Sequence, residues 1–182
     1  MPELGRAALV VCLGLAVYAT LAGAYAARLG RRRLAVSAQN ALIGCFVAAA
    51  VASAVLLTAL ARHDFRFTYV SDHTSSALPL GYTLSAFWGG QEGSLLLWLL
   101  VLSGYAAVAV LLNRNKARDL MAWVVPVLGG VTVYFAFMVV AVVSPFRTHI
   151  PPIEGAGLNP SLQNPYMTVS YTHLTLPTIL RV

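Results

Sequence analysis

Glu92 lies in Trp88-Gly-Gly-Gln-Glu-Gly-Ser-Leu-Leu-Leu-Trp98, a polar, glycine-rich stretch that runs straight into a long apolar segment. A charge so close to hydrocarbon is costly unless it faces water, protein or a ligand. It therefore either caps the following helix, whose macrodipole favours a carboxylate at its start, or belongs to a polar site; the residues leave both roles open. Gly89, Gly90 and Gly93 leave the backbone uncovered, which permits close approach of another helix or a flat ligand. Trp88 and Trp98 flank the stretch, and each alone fits an interfacial belt or plain packing. A second polar group sits in Pro145–Tyr166, which is dense in proline, glycine and asparagine. There Asn159-Pro160 and Asn164-Pro165 each fix a turn or an extended step, with Gln163 between them. A loop so stiffened suits a docking surface or a rigid connector.

Other chemistry finds little support. His63, His73 and His149 fall in loops without a spacing that argues for a metal site, and lone loop histidines are usually solvated. No phosphate loop or dinucleotide fingerprint occurs. The two cysteines, Cys12 and Cys45, are expected at different depths, one near the outer end of the first helix and the other near the inner end of the second. At ~1.5 Å per residue that separates them by roughly 15 Å, beyond the ~7 Å between Cα atoms that a disulfide tolerates. They read as packing residues.

The elements that must carry these groups are apolar helices. The chain of 182 residues is 59% hydrophobic and 10% charged, which indicates a membrane protein. Four windows, 7–27, 41–61, 94–112 and 122–143, contain no Asp, Glu, Lys or Arg and reach the ~20 residues a bilayer crossing needs. The first is no signal peptide, because its arginines follow the apolar run instead of preceding it. The sequence thus predicts an all-α polytopic protein with four transmembrane helices. Pro126 is expected to kink the last of them, and Gly129 and Gly130 offer small-residue packing.

Orientation follows from the cations. Arg28, Arg31, Arg32 and Arg33 link the first two helices, and Arg114, Lys116 and Arg118 the last two. Short loops rich in Lys and Arg stay in the cytoplasm. The N-terminus and the segments 62–93 and 144–168 are therefore expected outside. The net charge of +6 is mostly a topology signal, and no nucleic-acid partner is expected. Arg62–Val70 alternates aromatic and polar residues, which fits a brief extended segment, and Ser71–Ala77 reads as a polar turn. The apolar positions 80, 84, 87 and 88 recur at helical spacing and predict a short interfacial helix. Tyr82, Phe87 and Trp88 would then join an aromatic belt.

The Trp88–Trp98 segment closely resembles a signature of the large haem-lyase subunit of bacterial cytochrome c maturation, the CcmF family. Asp64-Phe, Tyr69-Val and Leu78-Pro-Leu resemble the run that precedes it there. Pro152-Ile-Glu-Gly and Gly157-Leu-Asn-Pro-Ser-Leu-Gln-Asn-Pro-Tyr-Met167 resemble the family's next outer loop, and Met1-Pro-Glu-Leu-Gly fits its opening. The resemblance covers residues 1–168. It implies an inner-membrane protein that handles haem at the outer face and helps attach it to apocytochrome c. Other maturation subunits and a haem chaperone are the implied partners, beside the lipid bilayer. The family's haem ligands come later in its longer polypeptide, so the chain is expected to be an N-terminal fragment with no catalytic or metal-binding residue of its own. A paralogue serving a nitrite reductase cytochrome shares these motifs. A transporter using Glu92 as a coupling carboxylate, or a purely structural membrane subunit, are the readings from other classes.

After Thr168 the family continues to a His-Pro-Pro run whose histidine is a haem ligand. Here the chain reads Val169-Ser-Tyr-Thr-His-Leu-Thr-Leu-Pro-Thr178, which resembles a frame translation of a transposon-type sequencing adaptor. Residues 169–182 are accordingly expected to be non-native, and His173 does not inherit the ligand role.

Overall fold

The computed structural model describes residues 1–114 and 116–158. Its elements are α1 (Pro2–Leu29), α2 (Arg32–Ala61), α3 (Thr68–His73), α4 (Leu80–Ser85) with a 3-10 turn at Ala86–Trp88, α5 (Gln91–Asn113) and α6 (Arg118–Phe137), which runs on through a π-type turn at Met138–Val142. Among the described residues there is no strand, only a single antiparallel bridge between Phe67 and Thr148. Four helices, α1, α2, α5 and the stretch Leu120–Val142, are long and apolar enough to cross a membrane. The all-α, four-span architecture is therefore as expected, and so is the short helix from Leu80.

Helix ends differ from the apolar windows, because a helix continues into its polar flanks where a hydropathy count stops. Pro2 stands in the first turn of α1, where its missing N–H costs nothing. Arg32 and Arg33 are already helical, so the connection between α1 and α2 shrinks to Gly30 and Arg31. Gly30 takes a left-handed φ of 63° and donates its N–H to the Ala26 carbonyl. That backbone conformation favours glycine.

The tight hairpin overturns the expected separation of the cysteines. Cys12 and Cys45 are buried, unbonded and side by side. Each thiol donates to the other's backbone carbonyl at 3.5 Å. The expectation assumed a long loop between the helices; a two-residue turn brings both residues to neighbouring depths instead. Their packing role stands. Around them Ala16, Ala49 and Ala52 are fully buried, and such small side chains let two helices approach closely.

The four long helices form a ring in which α1 touches α2 and α6, α2 touches α5, and α5 touches α6. Glycine decides the α1–α6 seam. A Cβ at Gly129 would lie 2.6 Å from Thr20 Oγ1, and one at Gly23 would lie 3.2 Å from Pro126 Cδ. Gly130, by contrast, faces open space, so only one of the two adjacent glycines serves packing. Pro126 lies inside α6.

The segment that follows α2 is more helical than its alternation implies. Phe67 alone is extended and bridged, while Thr68–His73 forms one helical turn and a half. The polar turn is thus confined to the residues after His73. An alternation over so few residues cannot separate a strand from a single turn that buries Tyr69 and Val70.

Candidate functional site

The glycine-rich stretch is organised around Tyr69. The α3 turn directs this side chain beneath residues 86–93, where the phenol donates to the Ala86 carbonyl at 2.7 Å, with the Phe87 carbonyl at 3.2 Å. The same oxygen accepts the Gly90 N–H at 3.1 Å. Tyr69 thereby satisfies the backbone just before α5, where a helix start leaves donors unpaired. Burial, with the Glu92 charge adding to it, pushes the Tyr69 phenol well above its ordinary range, so it stays protonated and can donate.

His73 stacks on Tyr69 with ring centroids 4.4 Å apart. Its Nδ1 donates to the Tyr69 carbonyl at 2.9 Å.

These two rings occupy the space that the glycines leave. A Cβ at Gly90 would strike His73 Nε2, and one at Gly93 would overlap the Phe87 carbonyl oxygen and the Tyr69 hydroxyl. A Cβ at Gly89 would lie 3.4 Å from Leu158 Cδ1, in the segment that follows α6. The close approach that the glycines permit is thus made by this chain's own side chains.

The flanking residues are placed differently. Glu92 stands in the first turn of α5, half-buried, and makes no hydrogen bond or ion pair among the described residues. Ser94 donates to the Trp88 carbonyl at 2.8 Å and ties the helix to the turn. Trp88 and Trp98 are 42% and 57% exposed. Below Trp98, Val101, Tyr105, Val108 and Leu112 are exposed as well. They recur at three- and four-residue spacing, so one face of α5 carries a continuous uncovered apolar stripe.

The segment that follows α6 is laced onto the one that follows α2. Thr68 donates its N–H to the Arg147 carbonyl, His149 donates its N–H to the Arg66 carbonyl, and Ala156 donates to Ser71 at 2.7 Å. Side chains add to these: His149 Nδ1 lies 2.9 Å from Thr68 Oγ1, and Glu154 accepts both the N–H and the hydroxyl of Ser76 at 2.7 Å. Those two bonds hold the Glu154 carboxyl below its ordinary range. Phe146 lies against Gly5 with no room for a Cβ and anchors this segment to α1. Asn159, Pro160, Gln163, Asn164 and Pro165, together with residues 169–182, lie outside the described residues.

Reading the sequence missed Tyr69 and His73 as the centre of the site. The only local signal is a Tyr and a His four residues apart, one helical turn, and it is informative only once α3 is known to be a helix. The histidines also depart from expectation. His73 is stacked and His149 hydrogen-bonded. His63 takes a left-handed φ of 49°, and its Nε2 is buried with no partner.

No protein-family model matches the chain. It is 35% identical over 167 residues to the cytochrome c-type biogenesis protein CcmF of Escherichia coli (strain K12), matching 91% of this chain and 26% of that protein. It is 38% identical over 163 residues to the cytochrome c-type biogenesis protein CycK of Rhizobium meliloti (strain 1021), matching 89% of this chain and 24% of that protein. To the cytochrome c-type biogenesis protein NrfE of Haemophilus influenzae it is 38% identical over 111 residues, which is 60% of this chain and 18% of that protein. A solved structure named cytochrome c heme lyase CcmF superimposes with a TM-score of 0.71 at 30% identity, covering 82% of this chain and 25% of that one. The chain thus spans about a quarter of the length of the relatives it matches. It belongs to the CcmF family of cytochrome c-type biogenesis proteins.

Proposed function

We propose that this chain is the membrane scaffold of a cytochrome c haem lyase, supporting haem handling and its attachment to apocytochrome c at the outer face of the bacterial inner membrane. Other maturation subunits and a haem chaperone complete the assembly. The names and the fold of the relatives support this reading. The arginine-rich ends of α1, α2, α5 and α6 face the cytoplasm under the positive-inside rule, which puts 62–93 and 144–168 in the periplasm.

The observation that carries the scaffold role is the uncovered stripe from Trp98 to Leu112 on α5, with Trp88 above it. In the complete protein this face packs against the further length that the relatives possess. Glu92, Gly89 and Gly93 set the start of α5 and so the height of the stripe.

The described histidines are engaged within the chain. His73 packs between Tyr69 and Gly90, both nitrogens of His149 face hydroxyls of Thr68 and Ser71, and His63 Nε2 is enclosed. The segment 169–182 is a translated adaptor, a reading that rests on the resemblance of Val169–Thr178 to such a sequence.

The test is a double substitution, Trp98→Ala with Tyr105→Ala, and separately Glu92→Gln, in the complete protein. Holocytochrome c is measured against the amount of membrane-inserted protein. A fall in holocytochrome at constant protein is expected; unchanged levels in both would exclude this face and this carboxylate from the reaction. A paralogue dedicated to a nitrite reductase cytochrome is the second reading; the match to NrfE spans 60% of this chain, against 91% for the CcmF of E. coli.

A further inference from the structure

At the end of the bundle opposite the outer loops, the chain encloses a cavity of about 440 Å³ between the α1–α2 turn, the end of α5 and the start of α6. Arg31, Arg32 and Arg114 line it, and its described lining contains no carboxylate. None of the three guanidinium groups has an ion-pair or hydrogen-bond partner among the described residues, although Arg31 lies over the Tyr25 ring at 5.9 Å. Gln39 also lines the cavity. It is only 5% exposed, yet its amide has no hydrogen-bond partner among the described residues. The amide is not among the fully buried unpaired polar atoms, so it opens onto the cavity and is free to bond a group that enters it.

The rest of the wall is apolar, formed by short alanine and valine side chains and by Trp123. Trp123 is 58% exposed, and tryptophan favours the headgroup level of a bilayer. The cavity lies where four bilayer-crossing helices end. Cations, a buried amide and an apolar wall at that depth match a molecule with a charged head and a hydrocarbon body. A soluble anion would use the first two and leave the third bare. Basic pockets between membrane helices hold anionic headgroups for this reason, and arginine forks suit phosphate oxygens.

We propose that this cavity binds the phosphodiester headgroup of an anionic phospholipid. Arg31, Arg32 and Arg114 hold the phosphate oxygens, Gln39 bonds a hydroxyl of the headgroup glycerol, which choline lacks, and the acyl chains leave along the apolar wall.

Native mass spectrometry of the complete protein in detergent, offered phosphatidylglycerol and phosphatidylcholine with the same acyl chains, reads the preference directly. Phosphatidylglycerol is expected to be retained over phosphatidylcholine. Arg114→Gln should cut that preference about fivefold, the effect of one arginine near an anionic lipid. Gln39→Leu keeps every charge, and with it the topology, and should cut the preference by about threefold to tenfold through the lost hydrogen bond. Equal retention of the two lipids by the unaltered protein would overturn the proposal. So would a preference that survives Gln39→Leu, since that marks a diffuse charge effect. Displacement of phosphatidylglycerol by millimolar glycerol phosphate would assign the cavity to a soluble phosphoester instead.

Discussion

At the end of the bundle that carries Tyr69, one phenol bonds Ala86 and Gly90, Glu154 clasps Ser76, and backbone bonds join residues 66–76 to 147–157. At the other end, Arg31, Arg32 and Arg114 stand around a cavity with no ion pair among the described residues. The first end is held by short-range fit, in which single atoms matter. The second has a two-residue turn and unpaired like charges, whose mutual repulsion acts over a Debye length and tolerates rearrangement. The contrast separates the part of the molecule that is pre-organised from the part that awaits the bilayer.

The strongest way to break that contrast is Gly93→Ala. The added methyl overlaps the Phe87 carbonyl and the Tyr69 hydroxyl, and overpacking of this kind costs about 3 kcal/mol. Thermal unfolding of the complete protein should drop sharply. Gly30→Ala at the other end meets only a left-handed backbone, worth about 1 kcal/mol, and should be milder. Equal losses would mean that the two ends are not built differently.

Tyr69→Phe is the next largest test. It strands the Gly90 N–H and the Ala86 carbonyl at a cost of about 2 kcal/mol. Hydrogen exchange of residues 86–93 should accelerate while α1 and α2 stay protected. Uniform acceleration across the chain would show that the phenol stabilises the whole bundle instead of the turn.

The smallest effect is a pH response. Glu154 has a lowered folded pKa through its bonds to Ser76, so its contribution is present above its ordinary value of 4.5 and is lost as pH falls through the folded value. Exchange at the Ser76 amide should rise below that range. The turn at Gly30 and Arg31 holds no described carboxylate and should not respond.

How far the sequence carries differs between these regions for a physical reason. Four spans and the helix from Leu80 are local properties, set by apolar runs and their period, and both are as expected. The α1–α2 turn was hidden because Arg32 and Arg33 are as compatible with a helix start as with a loop. That ambiguity alone misplaced Cys12 against Cys45. Tyr69 under Gly90 and Gly93 is a contact across some twenty residues, and no period reports it. Glycines show that something approaches closely; they do not say what.

The turn of Gly30 and Arg31 also bears on how the protein is made. With two residues between them, α1 and α2 cannot choose their orientations independently during synthesis. They enter the bilayer as one hairpin, and the path taken by either helix decides that of the other. On the cytoplasmic placement proposed above, Arg28, Arg31, Arg32 and Arg33, gathered at its tip, act as a single brake on translocation. Losing one of them should leave the hairpin's direction intact, because the remaining three still hold the tip back.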